Sequence, residues 1–165
     1  MLIFLDSEFT GLGQRWPRLI SIGLISEDGL HQFYAELTAE SYMEKCDPWV
    51  KENVLPFLEG CDCLMQPDEL HRHLTEWIEA LGAVQIATDS DVDFDFMRAI
   101  LDRWPANLDT KRLKLGGSEF AEALNMIQAE NNDLHQHHAL DDAKANRLAW
   151  LTIVADCKLP KDESC

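Results

Sequence analysis

No stretch of this sequence stays apolar long enough to cross a bilayer, which takes about 20 residues, and the opening run from Met1 to Leu5 is too short for a signal-peptide core and lacks a basic leader. A cytoplasmic protein is the expectation. Cysteine is sparse and awkwardly spaced: Cys46, Cys61, Cys63, Cys157 and Cys165 are odd in number, and no second pair follows the close couple Cys61 and Cys63. That spacing fits no zinc site and points to reduced thiols. Glycine and proline are few, at 8 and 6 of 165 residues, and there is no repeat, low-complexity tract or linker, so a single domain over 1–165 is expected. Basic residues are the scarcest class for their role. Fourteen Lys and Arg stand against 30 Asp and Glu, a net charge of −16, which repels a polyanion over most of the surface and argues against broad duplex binding. A nucleic-acid enzyme remains compatible with this balance if it grips only a strand end and divalent cations neutralise its local carboxylates.

The hydrophobic pattern opens with strands. Leu2 to Leu5 is a short buried-type run delivering Asp6 to a sheet edge; Arg18 to Ser26 (RLISIGLIS) is a second, Glu27-Asp28-Gly29 a turn, and His31 to Leu37 its alternating hairpin partner. A three-strand meander follows from this order. Ser41 to Leu81 is helical in pieces broken by Pro48, Pro56 and Pro67, with Asp68 as cap for a stretch carrying Leu70, Leu74, Trp77, Ile78 and Leu81. Ala83 to Ala87 is a central strand, Phe96 to Trp104 a helical stripe closed by Pro105, and a short run lies near Leu108. Helices around Glu119 to Gln128 and from the end of a polar loop (Ala129 to His138) to about Ala155 complete the chain. The order predicts an α/β fold, a mixed central sheet of about five strands flanked by helices.

Two clusters carry chemistry. In Asp6-Ser7-Glu8-Phe9-Thr10-Gly11-Leu12, residues i and i+2 of a strand point the same way, so Asp6 and Glu8 offer two carboxylates on one face. Such a pair repels itself unless a cation intervenes, and oxygen-only ligands favour Mg²⁺ or Mn²⁺. Alone, it also describes an ordinary solvated strand end. The second cluster is His137-His138-Ala139-Leu140-Asp141-Asp142-Ala143, at the start of the last helix. An acid there has a plain explanation in the helix dipole. A histidine just ahead of it can act as a proton acceptor near neutral pH.

These residues resemble the DEDDh 3′→5′ exonucleases, the family that includes ribonuclease T, oligoribonuclease and the proofreading subunit of replicative polymerases. D-x-E-x-T-G-L matches Asp6 to Leu12, an I-x-I-G type strand follows within Leu19 to Ile25, and H-x-A-L-x-D-A matches His137 to Ala143. Ile86 to Met97 (IATDSDVDFDFM) is similar to the middle motif but carries four alternating acids, Asp89, Asp91, Asp93 and Asp95. Helix phase favours Asp93, three residues before Phe96 on the apolar face, with Asp95 as the alternative; Asp89 then takes the family's Asn position. The Ala-Leu register favours His137 over His138 and His135.

The resemblance implies a ribonuclease H-like fold and two Mg²⁺ or Mn²⁺ ions held by Asp6, Glu8, Asp93 and Asp142, with His137 as general base. It implies stepwise release of 5′-mononucleotides from single-stranded 3′ ends, and places Glu8, Phe9, Thr10, Leu12 and His137 at the terminal nucleotide. RNA is expected over DNA, Glu8 being the acceptor for a 2′-hydroxyl. Several relatives work as dimers, so a homodimer is allowed; no membrane partner is expected. The competing expectation is a weak or inactive nucleic-acid-binding module of the same fold.

Overall fold

A computed structural model describes residues 1–158, with side chains through 155. The expected assignment of Cys157 and Cys165 as thiols lies outside the described side chains, whereas Cys46, Cys61 and Cys63 are free. The chain opens with the expected meander, β1 (Leu2–Phe9), β2 (Leu19–Ser26) and β3 (Gln32–Leu37), paired antiparallel in order. The first strand does not stop at Leu5. Its partner keeps pairing alongside, with Asp6 opposite Gly23 and Glu8 opposite Ser21, and the register shifts only between Glu8 and Phe9. Both carboxylates therefore sit on regular strand rather than on a loop.

The remaining elements are α1 (Pro48–Asn53), β4 (Leu64–Met65), α2 (Pro67–Glu79), β5 (Gln85–Thr88), α3 (Asp91–Ile100), β6 (Leu113–Lys114), α4 (Ser118–Glu130) and α5 (Ala139–Lys158). The sheet runs β4-β3-β2-β1-β5-β6, with parallel pairing of β3 with β4, β1 with β5 and β5 with β6. It is a mixed six-strand sheet flanked by helices, an α/β architecture consistent with the ribonuclease H-like one. The sheet has one strand more than the roughly five expected. β4 and β6 are two-residue edge strands, too short to show period-two alternation. The run near Leu108 makes only an isolated parallel bridge with Val84. Asp68 is likewise not the cap of α2: Pro67 occupies the first turn, and Glu69 Oε2 accepts the Gln66 N–H at 2.9 Å.

Two apolar clusters hold the layers together. On one face of the sheet Ile20, Ile22 and Leu24 pack with Leu70, Leu74 and Ile78 of α2 and Met97 of α3. On the other, Phe4, Ile25 and Ala87 pack with Phe120 of α4 and Ala143 and Ala149 of α5. β2 is buried along its whole length, which is why it reads as a nearly continuous apolar run. The start of α5 crosses β2 at Gly23, where a Cβ would overlap the backbone of Ala139 and Leu140. Because Gly23 is the register partner of Asp6, this crossing brings α5 onto the carboxylate strand. Among the described residues no helix is long and apolar enough to cross a membrane.

Candidate metal centre

β1 alternates as its sequence requires. Ile3, Leu5 and Ser7 face α3, while Phe4, Asp6 and Glu8 face α5. Ser7 does more than fill space: its hydroxyl donates to Asp93 Oδ1 at 2.7 Å, and Thr88, at the end of β5, donates to Asp93 Oδ2 at 3.2 Å. Asp93 is 2% exposed and held at both oxygens, whereas Asp95 lies exposed. The turn before α3 is braced from outside. Ser90 Oγ caps the helix, accepting from the Val92 N–H, and Arg112 donates to the carbonyls of Thr88 and Ser90 while pairing with Asp91.

The third element is the loop entering α5. His137 adopts a left-handed backbone, φ 66°, and its backbone N–H donates to Asp142 Oδ2 at 2.8 Å, so the loop that carries the imidazole is anchored to the carboxylate. The acids converge as two groups. Asp6, Asp89 and Asp93 place carboxylate oxygens within 4.8 Å of one another, and Glu8, Asp142 and the His137 imidazole do the same. Asp89 had no assigned role in the sequence beyond its motif position; alternating acids after a strand end were the only signal of it.

Electrostatics at this point are unfavourable for the protein alone. Burial, then the carboxylates of Asp93, Asp142, Glu8 and Asp89, hold Asp6 well above the usual carboxylate range. Glu8 is pushed up to about 8 by burial and then by Asp142 and Asp93. Asp142 rises to about 7, chiefly through burial, despite the His137 N–H that favours its anion. Asp93 rises less, to about 6, because burial is opposed by the Ser7 and Thr88 hydroxyls. Burial lowers the His137 pKa, favouring the neutral ring. Among the described residues no Lys or Arg pairs with any of these four acids. The compensating charge has to come from outside, and a donor set of carboxylates with one imidazole suits divalent cations.

The three neighbouring histidines separate cleanly. His135 stacks on Phe57, with centroids 5.5 Å apart. His138 turns inward against the Tyr34 ring at 4.5 Å, its Nε2 3.4 Å from Glu59 Oε1. Only His137 meets the acids. Its other neighbour, missed in the sequence, is Trp49, whose ring meets the imidazole edge-on at 4.8 Å.

Beside this centre lies a cavity of about 430 Å³ lined by Glu8, Phe9, Leu12, Trp49 and His137 among others. Leu12 is 85% and Trp49 52% exposed. Phe9 packs on Phe96 at 5.6 Å. Thr10 is placed differently from its neighbours. It is fully buried, its hydroxyl accepts from the Arg18 N–H and donates to Gln14, and its carbonyl accepts from Asp47 N–H. Its polar groups hold the loop together rather than facing the cavity. A second cavity, about 270 Å³, opens on the other side of His137 against Asp6, Asp89, Asp142 and Asn146.

Fold and site together define an α/β protein with a carboxylate-rich candidate metal centre at the strand end where β1, β5 and α5 meet. No family model matches the chain, and no curated protein matches it.

Proposed function

We propose that this chain is a metal-dependent 3′→5′ exonuclease of the DEDDh kind, with a ribonuclease H-like fold, acting on single-stranded ends in the cytoplasm. One observation carries the reading: Asp6, Glu8, Asp93 and Asp142, from three separate elements, converge with no cationic side chain paired to them among the described residues, while a neutral-leaning imidazole joins them. The chemistry that two bound Mg²⁺ or Mn²⁺ ions supply is a lowered water pKa and neutralisation of charge at the leaving 3′-oxygen. Asp6, Asp89 and Asp93 would hold one, and Glu8 and Asp142 contribute to the other.

The chain's own residues do the rest. A ring nitrogen of His137 takes the proton of the water whose oxygen attacks phosphorus; the P–O3′ bond breaks and the departing O3′ takes a proton from solvent, leaving a 5′-mononucleotide and a strand one residue shorter with a 3′-hydroxyl. Exposed Trp49 and Leu12, with half-buried Phe9, offer the aromatic and apolar surface on which a terminal base stacks, worth roughly 1–3 kcal/mol per base. Glu8 lines the same cavity and accepts from a 2′-hydroxyl, which favours RNA. Net charge −16 keeps longer or duplex polyanions at a distance, so recognition is confined to the strand end. A homodimer is compatible with this reading.

The test is incubation of labelled single-stranded RNA and DNA of one sequence with Mn²⁺, Mg²⁺ or EDTA. Degradation with either metal, faster on RNA and abolished by EDTA, is expected. Strand binding without cleavage would instead make the chain a binding module.

A further inference from the structure

The six donors around the centre fall into two triads of unlike chemistry. Asp6, Asp89 and Asp93 offer oxygen alone, the preference of Mg²⁺ and Mn²⁺. Glu8, Asp142 and His137 offer two oxygens and an imidazole nitrogen, again within 4.8 Å of one another. One nitrogen with two carboxylates is a borderline donor set made of the two ligand types, imidazole and carboxylate, that zinc combines in its three-ligand sites. Zinc also stands above Mn²⁺ in affinity for such sets.

We propose that Glu8, His137 and Asp142 form a Zn²⁺ site that captures the imidazole as a ligand, so that zinc silences the centre while the oxygen triad keeps its preference for Mg²⁺ or Mn²⁺. Two features of the fold prepare the triad. The backbone N–H of His137 donates to Asp142 Oδ2, which fixes the loop carrying the ring beside the carboxylate, and the Trp49 edge contact limits where the ring can go. Tetrahedral zinc with ligands at about 2.1 Å sets its donors about 3.4 Å apart, so each side chain needs to move by under about 1 Å. A ring nitrogen bonded to zinc has no lone pair left to accept a proton. The site itself stands independently of the exonuclease reading; only its inhibitory consequence rests on it.

Calorimetry of the full chain with ZnCl₂ in buffer containing excess Mg²⁺ tests the site without any activity measurement. One tight zinc per chain is expected. His137→Gln should weaken zinc at least about tenfold, a loss of about 1.4 kcal/mol, and leave Mn²⁺ uptake at the oxygen triad in place. Asp89→Asn should leave zinc affinity within about threefold and weaken Mn²⁺. Cobalt in place of zinc adds a spectroscopic reading, a visible absorption band that changes in His137→Gln. Unaltered zinc affinity in His137→Gln, or zinc lost with Asp89→Asn instead, overturns the assignment. Zinc binding that succeeds while all strands remain uncut would leave the site standing and defeat the nuclease reading alone.

Discussion

Replacing Asp142 by Asn should make the metal-free protein more stable, even though it removes a residue assigned to function. The carboxyl is pushed up from its ordinary 3.8 to about 7, so between those values the native state holds a proton that the unfolded chain has released. Stability is therefore unaffected below about pH 4, falls as pH rises towards 7, and carries the full penalty above it. A gap of about 3 pH units corresponds to about 4 kcal/mol, and because Asp142 is partly open to solvent, about half of that, roughly 2 kcal/mol, is expected to survive. Asparagine stays neutral throughout and keeps an oxygen for the His137 N–H. Urea unfolding in EDTA should show Asp142→Asn more stable than wild type by about 2 kcal/mol at pH 8, a rise of roughly 4–8 °C in Tm, and equal to it at pH 4. With Mn²⁺ present the order should reverse, since the native carboxylate gains a partner that the amide lacks. A variant less stable than wild type at pH 8 in EDTA would refute the cost of burying this carboxylate among its acidic neighbours.

Asp93→Asn should abolish Mn²⁺ binding at one site in calorimetry while Asp95→Asn changes little, because only Asp93 is buried against Ser7 and Thr88; the opposite result would overturn the choice between them. Gly23→Ala should cost about 1–3 kcal/mol and weaken Mn²⁺ binding, since the new Cβ displaces the start of α5 and Asp142 with it. Wild-type stability and metal affinity in that variant would contradict the crossing. His137→Ala should lower turnover roughly 10²–10⁴-fold. In wild type, activity should rise with pH through a limb below about pH 6.5, the direction set by the burial that lowers this pKa, since only the neutral ring accepts a proton. The limb should vanish in His137→Ala and persist in His138→Ala, whose ring is packed against Tyr34.

Local rules were enough to place Asp6 and Glu8, because strand alternation has one outcome once β1 is known to continue past Leu5. Asp93 followed from helix phase, and of the expected stripe Met97 and Leu101 are buried and Phe96 partly so. The Ser7 support of Asp93 was not legible, since Ser7, 86 residues away in sequence, becomes its neighbour only when β1 and β5 pair in parallel, whereas Thr88 is five residues away across the turn into α3. Gly23 was visible as a motif residue, yet its reason, the close approach of α5, depends on tertiary packing. Trp49 was hidden because residues 39–63 form one short helix and several 3₁₀ turns, which leave no hydrophobic period to read. The motif register chose His137 over His138, but the inward turn of His138 against Tyr34 depends on tertiary packing.

The direction of digestion tests the central claim most directly. One single-stranded RNA, labelled at its 3′ end in one sample and at its 5′ end in another, is incubated with Mn²⁺. Immediate release of the 3′ label as a 5′-mononucleotide, a descending ladder from the 5′-labelled strand and no reaction in EDTA are expected. Internal fragments, release from the 5′ end, or intact strands in the presence of bound Mn²⁺ would contradict the claim.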